Sequence, residues 1–216
     1  MRFERIWHKC YTAGVPAEID FDRITMPAVL TRTAERFPDR DALIFMGTRI
    51  TYRELEGLVN RFARALTALG VKRGDKVAMI LPNVPQLVIA EYAVFRIGGV
   101  NVMNNPLYTE KELTHQLNDS DSTVLVTLDM FHPVAAKLRE NTGAKKAILC
   151  SLADYLPEPL KPMFPPADVP AREGVYRFLD LIGAYPDAPV ENVPALEDLG
   201  ALIYTGGTTG LSKGVM

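Results

Sequence analysis

The clearest chemistry in this chain lies in Thr205-Gly206-Gly207-Thr208-Thr209-Gly210-Leu211-Ser212-Lys213-Gly214-Val215-Met216. Glycines let backbone N–H groups turn inward and approach an anion closely. The hydroxyls of Thr205, Thr208 and Thr209 add donors, and Lys213 adds a mobile positive charge. A loop of this composition suits a polyphosphate. The apolar run Ala201-Leu202-Ile203-Tyr204 before it reads as a strand, so the loop would hang from a sheet. The competing reading is a solvated turn that happens to be rich in glycine and threonine.

The spacing argues against a Walker A loop, which requires Gly-x-x-x-x-Gly-Lys-Ser/Thr. Counting from Gly207, Ser212 stands where the second glycine should be, and Gly214 follows the lysine in place of a hydroxyl. No other catalytic constellation is visible. His8, His115 and His132 are isolated, and His115, beside Gln116 in a helix, reads as a surface or packing residue. Asp119 and Asp121 read as a helix end and a turn, not a carboxylate pair.

The elements that must position the loop follow from local signals. Residues 1–24 form a tail whose anchors should be Trp7 and Tyr11. A short helix follows Pro27, with Leu30, Ala34 and Phe37 on one face. Ala42–Phe45 and Arg49–Tyr52 flank Met46-Gly47-Thr48 as a hairpin. Thr51 and Glu54 make a capping box, and Leu55, Leu58, Val59, Phe62, Leu66 and Leu69 form the apolar stripe of the helix it opens. Strands are expected near Asp75, Val100, Thr123 and Lys146. Helices are expected from Asn83 and Pro85, from a second capping box at Thr109 and Glu112, and from Asp129 as an N-cap. Alternating helices and nearly continuous apolar strands predict an α/β fold, a parallel sheet with helices on both faces.

Four segments are expected: a tail at 1–24, an α/β subdomain at 25–153, a Pro-rich irregular connection at 154–197, and a strand with its phosphate loop at 198–216. Six prolines between Pro157 and Pro170 exclude a regular helix or a central strand there.

With 216 residues, 48% hydrophobic and 23% charged, the chain is globular rather than disordered. A net charge of −2 gives no electrostatic case for nucleic acid. Cys10 and Cys150 make neither a disulfide framework nor a zinc spacing, and suit a reducing cytosol. The start lacks the apolar core of a signal peptide, and Leu87–Met103, interrupted by Glu91 and Arg96, is too short to span a bilayer. A cytoplasmic protein is expected, with room for peripheral membrane contact and for a homodimer.

The run Tyr204 to Gly214 resembles the nucleotide loop of the adenylate-forming (AMP-binding) superfamily, whose pattern is Tyr/Phe-Thr-Ser/Gly-Gly-Ser/Thr-Thr-Gly-x-Pro-Lys-Gly. It departs at Ser212, where the family usually has proline, which should loosen the loop slightly. Thr51-Tyr52-Arg53-Glu54-Leu55 is similar to the family's first core motif, and Phe95-Arg96-Ile97-Gly98-Gly99-Val100 with Asn105-Pro106-Leu107-Tyr108-Thr109 to the second. Trp7-His8-Lys9-Cys10-Tyr11 to Asp20 looks like the entry segment of fatty-acid synthetases, and Asn105-Pro106-Leu107-Tyr108 looks most like the long- and medium-chain fatty acyl-CoA ligases. Tyr108 is expected to pack rather than react.

The resemblance covers essentially the whole chain and implies the first part of a larger enzyme's N-terminal domain. It implies ATP, a fatty acid and CoA as substrates and Mg2+ as cofactor. A carboxylate would attack the α-phosphate, pyrophosphate would leave, and CoA would then displace AMP. It assigns Thr205, Gly206, Gly207, Thr208, Thr209, Gly210 and Lys213 to the nucleotide, Lys213 to catalysis and Thr205 to the metal. The piece alone should be inactive. The alternatives are a stand-alone nucleotide-phosphate-binding module, a catalytically silent product, or a ligase for aryl or short-chain acids.

Overall fold

The computed structural model describes residues 5–191, 194–205 and 212–216. Its first helix, α1 (Met26–Arg36), starts at a proline and buries Leu30 and Ala34, whereas Phe37 caps its end and stays exposed. β1 (Asp41–Phe45) and β2 (Thr48–Thr51) pair antiparallel as the expected hairpin, with Met46 at a φ of +50° in the turn. α2 (Tyr52–Ala68) opens on the full capping box, Thr51 accepting from the Glu54 N–H while Glu54 accepts from the Thr51 N–H. The stripe Leu55, Val59, Phe62 and Leu66 is buried.

Five parallel strands make the centre of the sheet: β3 (Lys76–Ile80), β4 (Val100–Met103), β5 (Ser122–Leu128), β6 (Lys146–Cys150) and β8 (Ala201–Thr205). With β7 (Val175–Arg177) and β9 (Lys213–Val215) the order is β7-β6-β5-β3-β4-β8-β9, and only β9 runs antiparallel. Successive strand residues point to opposite faces. Val77 and Met79 therefore join the core under α1, α2 and α3 (Pro85–Arg96), with α6 (Phe178–Ala184) on the same side. Ala78 and Ile80 join a second core under α4 (Glu110–Asp119) and α5 (His132–Asn141). Helices thus cover both faces, as the sequence predicts.

Four local expectations are corrected. Trp7 and Tyr11 do not anchor the tail; both are more than 40% exposed, with His8 held between their rings. Val84, not Asn83, is the N-cap of α3, and Pro85 supplies the start. Asp129 does not cap a helix. It begins a 3-10 turn, and its buried carboxylate accepts from the Ala167 N–H and from the Arg177 guanidinium, because the end of β7 lies close enough to claim it. Finally, the stretch 154–197 is not irregular throughout. Pro159 and Pro162 fall in a short 3-10 helix, and residues 175–184 form β7 and α6, whose Phe178 is fully buried against Phe62.

Gly98 ends α3 at a φ of +70°, and a Cβ there would lie 2.9 Å from Cγ of Arg73. The arginine stem is flexible, so the backbone conformation dominates. Gly98→Ala is expected to cost about 1–2 kcal/mol, read as a lower urea midpoint with an unchanged slope.

Candidate functional site

β8 leads into the loop and β9 leads out of it. Their register places Tyr204 opposite Gly214 and Thr205 opposite Lys213. Cross-strand partners share a face. Thr205 and Lys213 therefore stand side by side, and both are exposed, with the exposed Ile203 and Val215 continuing the same face. A hydroxyl donor and an ammonium at the C-terminal end of a parallel sheet are placed where α/β sheets take their ligands. Gly206, Gly207, Thr208, Thr209 and Gly210, the rest of the predicted phosphate loop, lie outside the described residues.

The opposite face of the β8–β9 pair rests on the last turn of α4. The Tyr204 hydroxyl donates to Oδ2 of Asp119 at 2.7 Å and to the Gln116 carbonyl at 3.2 Å. Burial, and then the Asp119 hydrogen bond, push the Tyr204 phenol upward, so it stays a protonated donor. A Cβ on Gly214 would lie 3.3 Å from Cζ of Tyr204, so glycine here lets the ring lie flat against the strand. At the loop exit, Nε2 of Gln116 donates to Oγ of Ser212 at 3.1 Å, and Nε2 of His115 lies 3.3 Å from the Ser212 carbonyl. The loosening expected from serine in place of proline is thus opposed by a side-chain bond that proline could not accept.

His115, expected to pack or face solvent, and Gln116 therefore border the candidate site. The signal for Gln116 was present: it stands beside Leu117, three residues after Leu113, and is a polar residue at a buried position of the helix. Asp119 and Asp121 are a helix end and a turn residue at a φ of +54°, as expected, but Asp119 also holds Tyr204. Tyr108 packs against the Ala78–Ile80 core.

Elsewhere the described residues offer little reactive chemistry. Cys150 is fully buried, and burial followed by the carboxylates of Asp154 and Asp129 pushes its thiol well up, away from the nucleophilic thiolate. Cys10 is exposed and unpaired by disulfide. A cleft of about 440 Å3 between the hairpin, α2 and Tyr155 is lined by Arg49, Arg53 and Arg61. It lies on the α2 side of the sheet, and neither Thr205 nor Lys213 lines it. Among the described residues no group of three or more His, Cys, Asp or Glu could hold a metal. No described helix is long and apolar enough to cross a membrane.

Residues 30–216 match the family model described as AMP-binding enzyme. The chain is 34% identical to a long-chain-fatty-acid–CoA ligase of Bacillus subtilis over 226 aligned positions, covering 100% of this chain and 40% of that protein. It is also 34% identical to the protein of the same name from Salmonella typhimurium, covering 99% and 40%. The crystal structure of a long-chain-fatty-acid-CoA ligase from Archaeoglobus fulgidus superposes with a TM-score of 0.74 over 95% of this chain and 39% of that one, at 24% identity, a likeness of fold. The chain thus spans about 40% of the length of the curated relatives it matches.

Proposed function

This chain belongs to the AMP-binding enzyme family, and from that premise we propose that it forms the N-terminal part of an ATP-dependent fatty acid–CoA ligase. The observation that carries the reading is the β8–β9 pair, which sets Thr205 beside Lys213 at the two ends of the glycine–threonine loop. Relatives named as long-chain-fatty-acid–CoA ligases along the whole chain support the substrate class.

In this reading a fatty carboxylate attacks the α-phosphate of ATP, the bond to pyrophosphate breaks, and acyl-AMP forms. CoA thiol then attacks the acyl carbon and AMP leaves. The first step builds negative charge on the departing pyrophosphate. Donors fixed where charge develops lower the barrier because they need no reorganisation at the moment of reaction. Backbone N–H groups of Gly206, Gly207 and Gly210, the hydroxyls of Thr208 and Thr209, and the Lys213 ammonium would meet that charge. Thr205 would lie at the entry to the same cradle. Thr205 and the substrate phosphates would help hold a magnesium ion there, and no step here is routed through the ion.

The 216 residues present one wall of such a site. Adenylate formation needs nucleotide, acid and phosphate held together. Pyrophosphate–ATP exchange, run with a series of fatty, short-chain and aryl acids, tests the reading. The expected result is no exchange by the chain alone and fatty-acid-dependent exchange by a ligase of the relatives' length that carries it. Turnover by the chain alone would refute the fragment reading. Exchange by the long form with aryl or short-chain acids only would reassign the substrate, and exchange with no acid would refute the ligase reading.

A further inference from the structure

We propose that the last turn of α4 is the positioning device of the phosphate loop, with Gln116 as the residue that fixes its exit through Ser212. The inference rests on the phosphate role proposed for the loop and goes beyond it by assigning a part to residues outside it.

The loop leaves the sheet after Thr205 and rejoins it at Lys213. Both junctions are tied to the same helical turn. At the entry, Tyr204 donates to Asp119 and to the Gln116 carbonyl. At the exit, the Gln116 amide donates to Ser212, and His115 meets the Ser212 carbonyl. Ser212 precedes Lys213 directly, so the Gln116 bond holds the backbone next to the lysine. Ser212 and Gly214 face α4, and alternation along the strand sends Lys213 to the opposite, open face. A bond on the helix side thereby sets the position of the charge on the ligand side.

Stability alone does not account for glutamine here. Gln116 is 1% exposed, and its Oε1 is buried with no hydrogen-bond partner among the described residues. Burying an amide with an unmet acceptor is unfavourable, and leucine of similar volume would remove that penalty. The gain from keeping the amide is the bond to Ser212, which lies 96 residues away in sequence. Restraining both ends of a short loop lowers the entropy lost when it closes on a ligand, and preorganised donors are the ones that lower a barrier.

The test is a double-mutant cycle of Gln116→Leu, Ser212→Ala and the pair. Hydrogen exchange across 205–213 is measured in the chain, and the two half-reactions in the full-length ligase. Each single variant is expected to speed exchange and to slow adenylation about two- to tenfold, the worth of one neutral hydrogen bond, with thioester formation from acyl-AMP unchanged. The pair should be no worse than the worse single variant. Gln116→Leu should melt at the wild-type temperature or higher. Additive losses, equal losses in both half-reactions, or a fall in melting temperature that tracks the loss of rate would overturn the assignment. Ser212→Ala changes a partly exposed side chain, so it reports on the bond even where Gln116→Leu folds poorly. Lys213→Ala separates the two readings. If it slows adenylation while the cycle shows no coupling, the clasp is wrong and the phosphate role stands. If it has no effect while exchange shows coupling, the clasp stands and the phosphate role is wrong.

Discussion

In the proposed full-length ligase, replacing Lys213 by alanine is expected to slow adenylate formation about 100- to 1000-fold, the usual loss when one preorganised donor to developing charge is removed. Thioester formation from supplied acyl-AMP should stay near the wild-type rate. The asymmetry follows from when the charge exists. In the proposed reaction Lys213 would face the β- and γ-phosphates, which would leave as pyrophosphate before CoA attacks. An interaction made only in the first transition state affects only that step. Lys213 is exposed, opposite Thr205, and has no ion-pair partner among the described residues, so its removal breaks no ion pair among them. A solvated turn lysine would give no kinetic effect, and a misfolded loop would depress both steps. Single-turnover assays of each half-reaction distinguish the three.

The second large effect concerns the scaffold. Arg96→Ala is expected to destabilise the chain by about 3 kcal/mol or somewhat more, the range for removing one partner of a buried ion pair. The Arg96 side chain is 8% exposed and donates to Oε2 of Glu56 at 2.8 Å, to Thr31 at 3.3 Å and to Oδ1 of Asn60. Asn60 in turn donates to Asp187 at 2.9 Å. One guanidinium therefore joins α1, α2 and α3 to the segment before β8. Its loss strands Glu56, which is 20% exposed, and leaves the Asn60 carbonyl unmet. Pairing Arg96→Met with Glu56→Gln should recover much of the loss, because the unpaired charge then disappears. Urea denaturation of the three variants measures this. A loss below about 1 kcal/mol, the level of a surface pair, would show that the network does not hold these elements together.

Most of the local structure is legible in the sequence because the physics that determines it is local. Thr51 with Glu54, and Thr109 with Glu112, satisfy N–H groups within three residues, so their helices start where the residues say. The hairpin around Met46 and Gly47, and the apolar runs of β3 to β6, are readable for the same reason. So is the composition of the glycine–threonine loop, since the ability to surround an anion is a property of residue types in order.

What the sequence could not supply depends on neighbours distant in the chain. The three-residue strand β7 and the short helix α6 carry no periodicity above their proline-rich surroundings; they exist because Phe178 fills a space beside Phe62 and because β6 offers an open edge. Asp129 has the composition of an N-cap, but a guanidinium from residue 177 competes for its carboxylate. Arg96 reads as one charge in an apolar helix until three other elements converge on it. Gln116 and His115 look like ordinary helix residues until the sheet brings Ser212 against them. By itself the sequence determined where most of the helices and strands lie and which residue types make up the glycine–threonine loop, because those preferences act within a few residues. Only the tertiary structure decided which helix holds that loop and which face its lysine occupies, because strand order and register are settled by burial and pairing among segments far apart in the chain.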